Sequence, residues 1–416
     1  MSLDKPRLAF VSPLFLFPND AGGKIRTTNI LKGLKGGVFD VTLVSPATAR
    51  QKADWAPQLR EVCDRFIAWE PTPVRPRWQR ALALLKALPV NVVVDRTPQA
   101  LAAVRETLAQ GRFDVAVFDF VHASVLVPDR FDGATVCFTH NVEAEIFARH
   151  VTTAKGALMR RAWDSQHAKM QRFESESLRR FSKVVAVSER DATQFRDHYG
   201  LTDVEVIPTG VDLDFFDWRE PPSPGPDAAP TVVFTGSMDW AANVDGVQYF
   251  LDEVWPLVLA KVPRARFVVV GRNAPASLVK RGRSESVSFT GFVDDVRPHV
   301  HAAQAFVIPL RVGGGTRIKA FEAMAMGCPV VSTSIGIEGL KVVEGEHYLR
   351  RDSAAEQAAA VVLLLRDGQL RGELSRRARG CVEEKFGHRV AATVFEGICI
   401  KALDRSAAGH PAATAG

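Results

Sequence analysis

The chain lacks paired cysteines. Its five, Cys63, Cys137, Cys328, Cys381 and Cys399, are scattered through 416 residues with no C-x-x-C spacing. An odd, dispersed set argues against a disulfide framework or a zinc cage and fits a reducing compartment. Long apolar runs are missing too, and none approaches the ~18 consecutive apolar residues that would span a bilayer. The opening Met1-Ser-Leu-Asp-Lys5 has no apolar core of a secretion signal, so a cytoplasmic protein is expected. Neither GxGxxG nor GxxxxGK[ST] occurs, which disfavours an NAD-dependent dehydrogenase and a P-loop nucleotidase. No DxD-like pair stands at a strand end, so neither a metal nor a cofactor is expected. No nucleic-acid-binding motif is visible, and nucleic acid is not an expected partner.

What is present is enough apolar residue for two cores. Hydrophobic residues make up 46% of the chain and charged residues 24%, and the length suits two domains of roughly 200 residues each. The net charge of +6 is uneven: residues 1–205 carry 29 Lys+Arg against 23 Asp+Glu, and the remainder 24 against 24. The surplus suggests an anionic partner for the first half, such as a membrane surface, a lipid phosphate or an acidic acceptor. Two segments read as basic helices. Arg75–Leu88 sets Arg75, Arg77, Arg80 and Lys86 beside Trp78, Leu82, Leu84, Leu85 and Leu88. Ala154–Arg180 is rich in Arg and Lys and carries Trp163, Met170, Phe173 and Leu178. Either can lie peripherally on an anionic membrane, on the inner face of the cell, or pack its apolar face on a sheet.

Short continuous apolar runs alternate with helical patterns. Strands are expected at Arg7–Ser12, Phe39–Val44, Asp114–Phe118, Ala134–Phe138 and Lys183–Val187, then at Thr231–Thr235, Arg266–Val270, Ser286–Thr290, Gln304–Ile308 and Pro329–Ser332. Runs without alternation are the mark of strands buried on both faces, as in parallel sheets covered by helices. The expected class is α/β with two doubly wound, Rossmann-like domains. The proline-rich Glu220–Pro230 cannot be helix or central strand. The expected partition is 1–205, a linker at 206–230, a second domain at 231–395, and a helix end with a flexible tail at 396–416.

The most informative stretch is Val312–Ser332. Gly313, Gly314 and Gly315 remove side chains where the strand Gln304–Ile308 ends. A helix pattern opens near Thr316 and stops at Gly327, a C′ glycine. Such a turn presents backbone N–H groups and the positive helix end, a site for a diphosphate. Arg317 and Lys319, in the first turn, oppose the helix dipole and call for a compensating anion. Glu322, further along, suits ribose hydroxyls. The plainer alternatives are a tight turn and a solvated basic face. In the first half, Gly22 and Gly23 precede a helix pattern and could offer a second N–H pair. His140 follows the strand Ala134–Phe138, with Asn141 and Glu143 just beyond. Asp119 ends another strand, where it could orient His140 or an acceptor.

These segments resemble retaining GT-B glycosyltransferases of family 4. Glu322-Ala-Met-Ala-Met-Gly-Cys-Pro-Val-Val-Ser332 is similar to the family's donor segment, and Val206-Ile-Pro-Thr-Gly-Val-Asp-Leu-Asp-Phe-Phe216 to its interdomain signature. Gly22-Gly23-Lys24 resembles its first glycine loop, and Val233–Met238 and Val269–Gly271 its second-domain strands. The resemblance implies two domains facing across a cleft, with Gly236 and the Gly313–Thr316 loop on a nucleotide-sugar donor. His140 would approach the transferred sugar, and Glu322 the ribose. Two family features are absent: the first glutamate of E-x7-E falls at Gly314, and Gly236–Asn243 lacks the usual Arg and Lys pair. Arg317 and Lys319 would replace that charge. The implied reaction is metal-independent hexosyl transfer with retention to a saccharide or lipid-linked acceptor, in the manner of bacterial exopolysaccharide sugar transferases. The leaving phosphate would help to deprotonate the acceptor. The rival readings are a nucleotide-sugar epimerase of the same architecture and a non-catalytic nucleotide-sugar-binding protein.

Overall fold

The computed structural model describes residues 5–19, 22–71, 86–153, 156–223, 225, 228–281, 284–312 and 317–407. The chain forms two compact units, one of residues 1–210 with 388–416 and one of residues 211–387. In the first, β1 (Arg7–Val11), β2 (Asp40–Pro46), β3 (Arg65–Trp69), β4 (Val115–Asp119), β5 (Ala134–Phe138), β6 (Lys183–Ala186) and β7 (Val204–Val206) make one sheet. Their order is β3-β2-β1-β4-β5-β6-β7, and every pair is parallel, as in Leu8 opposite both Val41 and Val115. The second unit holds β8 (Thr231–Thr235), β9 (Arg266–Val270), β10 (Val287–Gly291), β11 (Ala305–Ile308), β12 (Val330–Ser332) and β13 (Leu349–Arg350). Their order is β10-β9-β8-β11-β12-β13. Each sheet therefore reverses direction once, between β1 and β4 and between β8 and β11. In doubly wound folds the carboxyl edge at that reversal is where ligands bind.

The expected strands are present, with ends moved by at most two residues. β3, β7 and β13 were not expected. All three are sheet edges, and β3 alternates exposed with half-buried side chains before the buried Trp69. An edge strand escapes a search for continuous apolar runs.

The C-terminal boundary differs from the expected 231–395. The helix His388–Ala407 belongs to the first unit. Phe395 lies 5.1 Å from Phe138 and 6.3 Å from Phe10, ring to ring. Ala391, Ala392, Ile398, Cys399 and Ala402 join the same core. Gly33 permits the close crossing, since a Cβ there would stand 2.1 Å from the Ala392 Cβ. The reason is burial: this helix completes one face of the first sheet.

The basic helix expected at 154–180 is present as Ala157–Leu178. Its Met170 and Leu178 are buried, and Trp163 and Phe173 pack against the core. Those four residues serve packing, so they are not available to a membrane. In the segment Arg75–Leu88, residues 75–85 lie outside the described residues. All five cysteines are buried free thiols.

Candidate active site

In the second unit, the expected residues Gly236, Arg317 and Lys319 lie near the carboxyl ends of β8, β9 and β12. β8 and β9 end in Gly236 and Gly271, and Gly236 N–H donates to the Val270 carbonyl at 2.9 Å. A Cβ on Gly271 would lie 1.9 Å from the Gly236 carbonyl oxygen, and one on Gly236 would lie 2.8 Å from Lys319 Nζ. Gly271 is held to glycine by the Gly236 backbone, whereas at Gly236 a Cβ would crowd the Asn243 and Lys319 side chains. Lys319 Nζ donates to Asn243 Oδ1 at 2.9 Å and sits 4.4 Å above the Phe234 ring. Asn243 Nδ2 in turn donates to the Ser237 carbonyl at 2.7 Å. Arg317 is 3% exposed. Its Nε donates to the Ile335 carbonyl at 3.1 Å, in the loop after β12, and its guanidinium lies 5.8 Å from the Trp240 ring centre.

Arg317 occupies the N-cap position of the helix Ile318–Ala325 without a side-chain capping bond, just outside the first turn, and Lys319 lies inside it. Gly327 takes φ +82° beyond the helix end, as its C′ role demands. Burial drives the electrostatics. It pulls Lys319 down to about 7, against the attraction of Glu322. It lifts Glu322 to about 7, against the attraction of Lys319. It also lowers Arg317, with Glu338 opposing. Lys319 and Glu322 keep a little surface but are closely surrounded. Desolvated cations at a helix N-terminus are costly alone and favour a bound anion. Gly313, Gly314, Gly315 and Thr316 lie outside the described residues.

In the first unit the switch point holds a buried carboxylate. Asp119 closes β4 with no exposed surface. It accepts from Ser12 Oγ at 3.0 Å, from Thr27 Oγ1 at 3.0 Å, and from His140 Nε2 at 2.7 Å. Thr27 sits on the helix Gly22–Leu34, which starts at the expected glycine pair. A Cβ on Gly23 would meet the Phe120 ring at 2.6 Å. Phe120 adopts φ 66° and ψ 145°, a region used almost only by glycine, at a cost of about 1–3 kcal/mol. Its ring stacks on His140 at 4.1 Å.

Asp119 is thus hydrogen-bonded to His140, one of the two partners expected for it. Asn141 is exposed, and Glu143 is buried at the start of the helix Glu143–Thr153. That helix end is capped from afar: Glu174 accepts from the N–H groups of Glu143 and Ala144 at 2.8 and 3.1 Å, and from the Tyr199 hydroxyl at 2.8 Å. Burial raises Glu174 to about 7. Sequence reasoning missed Asn243, Trp240, Ser12, Thr27, Arg26, Phe120, His122 and Asp95. The signal that could have found His122 was its place three residues past Asp119, beyond a strand's carboxyl end.

Residues 21–215 match the family model described as Glycosyltransferase Family 4, and residues 229–367 the model described as Glycosyl transferases group 1. A curated relative, an uncharacterized 44.6 kDa protein in the cps region of Klebsiella pneumoniae, is 24% identical over 174 residues. That alignment covers 40% of this chain and 45% of the relative, so this chain matches less than half of the relative's length. Among solved structures, sucrose-phosphate synthase of Thermosynechococcus elongatus superposes with a TM-score of 0.67 at 17% identity, covering 96% of this chain and 100% of that one. Anabaena HepE in complex with UDP gives 0.63 at 15%, covering 95% and 100%. WaaG, a glycosyltransferase involved in lipopolysaccharide biosynthesis, gives 0.61 at 18%, covering 94% and 99%. These likenesses are of fold. They give the chain the GT-B fold, and its two segments matched by glycosyltransferase family models account for most of the chain between residues 21 and 367.

Proposed function

We propose that the protein moves a hexosyl group from a nucleotide-diphosphate sugar, most simply a UDP-sugar, to a saccharide or lipid-linked acceptor during surface glycan assembly. The observation that carries this reading is the pair of desolvated cations, Arg317 and Lys319, at a helix N-terminus beside the Gly236 strand end. As the bond from anomeric carbon to phosphate breaks, charge grows on the departing diphosphate. Fixed cations and N–H dipoles aimed there lower the barrier. The chain's own cations make a metal unnecessary in this scheme. The UDP in the HepE structure supports the choice of base. The cps-region relative and the resemblance to exopolysaccharide transferases support the glycan role. Retention of configuration rests on the family resemblance. No observation favours an epimerase or a binding-only protein.

The test is a thermal-shift panel of UDP-, GDP-, ADP- and dTDP-sugars with EDTA present. A UDP-sugar at 100 times its dissociation constant should add about 2.7 kcal/mol of stability. Arg317→Ala and Lys319→Ala, each compared with its own ligand-free melting, should lose most of that gain. A wild type stabilised by none of the four, or variants stabilised as fully as wild type, would refute the reading. NMR of the product's anomeric centre reads retention directly.

A further inference from the structure

Residues 139–142 join β5 to the helix Glu143–Thr153, and His140 and Asn141 stand on them. A connection of four residues is set by what grips its ends. At the near end, Thr139 N–H and Oγ1 both donate to the Val185 carbonyl at 2.9 Å. In the middle, His140 has both nitrogens engaged. Nε2 faces Asp119 Oδ1 at 2.7 Å, and Nδ1 faces Arg26 NH1 at 3.4 Å. A carboxylate only accepts and a guanidinium only donates, so the ring is the neutral Nε2–H tautomer. At the far end the grip is a single buried carboxylate, Glu174, 31 positions beyond Glu143.

Glu174 stands on the helix Ala157–Leu178 and has no exposed surface. Its Oε1 accepts from Glu143 N–H, and its Oε2 accepts from Ala144 N–H and from the Tyr199 hydroxyl. Two N–H groups that a helix leaves unpaired at its start are satisfied in this way, and the negative charge meets the positive helix end. Among the described residues no cation pairs with Glu174. Its charge therefore rests on three neutral donors. Burial opposes that charge more strongly than the donors favour it, which is why the carboxyl is lifted to about 7. The titratable groups facing it are Glu143 on the capped helix, Tyr199 at the end of the helix Glu189–Tyr199, and Cys137 on β5. Burial and the Glu174 charge push the phenol and the thiol up, so both keep their protons near neutral pH. Burial also raises Glu143, against His122 and a hydrogen bond from Asn141. His122 is itself held by Asp95, whose Oδ2 lies 2.5 Å from Nδ1.

We infer that Glu174 is a positioning residue: its carboxylate fixes the start of the helix Glu143–Thr153, and with it the loop carrying His140 and Asn141, and taking up a proton loosens that hold. The functional part of the inference rests on the glycosyl-transfer reading, which gives His140 its role. A carboxylate offers both oxygens as acceptors. Once a proton from solvent sits on one of them, that oxygen becomes a donor. The N–H facing it is then left buried without an acceptor, a state costly enough to open the first turn locally. Nothing in the step requires a group outside the first unit, since Glu174, Tyr199, Glu143 and His140 all belong to it.

The test compares the full chain with Glu174→Gln and Tyr199→Phe. Hydrogen–deuterium exchange of the ligand-free protein, corrected for the intrinsic effect of pH, reads the amides of Glu143 and Ala144 directly. In wild type they should open about tenfold more often at pH 6 than at pH 8. Glu174→Gln should open readily at both values and show no step. Tyr199→Phe takes one donor from the carboxylate, so the step should move to higher pH. In a measured transfer reaction at saturating donor, wild-type kcat should fall as pH drops through the same step. Glu174→Gln should lower kcat severalfold at pH 8 with the donor KM little changed, and the acid limb should vanish. A group that merely supports the fold would lower the melting point and leave the limb in place. Should Glu174→Gln not fold, wild type and Tyr199→Phe still decide on the direction of the step. The inference is overturned by exchange at these amides that ignores pH, by a limb that survives in Glu174→Gln, or by a step that Tyr199→Phe leaves unmoved. If nucleotide sugars are transferred with a limb indifferent to position 174, this inference falls alone. If none binds, the transferase reading falls and takes the functional part of the inference with it, while the exchange step still tests the hold on the loop.

Discussion

At the scale of the residue, the second unit trades stability for charge. A lysine on an open surface ionises without penalty, whereas Lys319 is held down to about 7 by burial. Its pKa lies below the unfolded value, so protonation opposes folding. That cost is absent above the unfolded pKa, grows as pH falls, and is complete below about 7. A bound diphosphate reverses the preference by favouring the ammonium form. Nucleotide affinity should therefore weaken by about tenfold or more between pH 6 and 8.5, as the free protein loses the Lys319 proton. Lys319→Met should abolish that pH dependence, weaken binding, and melt higher than wild type when ligand-free at pH 6. Titration calorimetry and melting curves across this range check both signs; a lower ligand-free melting point for the variant at pH 6 counts against the account. The expected cations and His140 were legible because each follows a strand end. Their partners were not: Thr27 and Asp119 are 92 positions apart, and Lys319 and Asn243 76.

At the scale of the element, buried parallel strands announce themselves as unbroken apolar runs, and edges do not. The two-residue β13 carries no pattern to read. The helix His388–Ala407 shows a different limit. A helix end was expected within 396–416, but which sheet the helix covers depends on surfaces far away in sequence, since Phe395 meets Phe138 and Phe10. Burial of Phe395 and Ile398 alone contributes about 3–6 kcal/mol, a large part of a typical domain's margin. A chain ending at Gly387 should thus lose the cooperative melting of the first unit while the second, residues 211–387, still shows the donor-dependent shift. Calorimetry of the truncated chain decides; two intact transitions would contradict the assignment of this helix.

At the scale of the whole molecule, charge is the property the sequence states most directly. The surplus of six cations in residues 1–205 is a matter of counting. The structure moves the membrane question to a particular place. Leu158 is 86% exposed and Met159 53%, next to the exposed Arg160 and Arg161 at one end of the helix Ala157–Leu178. The full chain should cosediment with anionic phosphatidylglycerol vesicles, less so as salt rises, and little with phosphatidylcholine. Leu158→Glu with Met159→Glu should reduce the bound fraction severalfold; equal binding to both vesicle types would dismiss this surface. Among the described residues, no helix is long and apolar enough to cross a membrane. The sequence by itself determined the α/β class and most of the strands, because burial on two faces is a local demand. Only the tertiary structure decided that the last helix returns to the first unit, that His140 has both nitrogens engaged, and that His122 is held by Asp95. Those facts depend on groups brought together by packing, and no spacing along the chain encodes them.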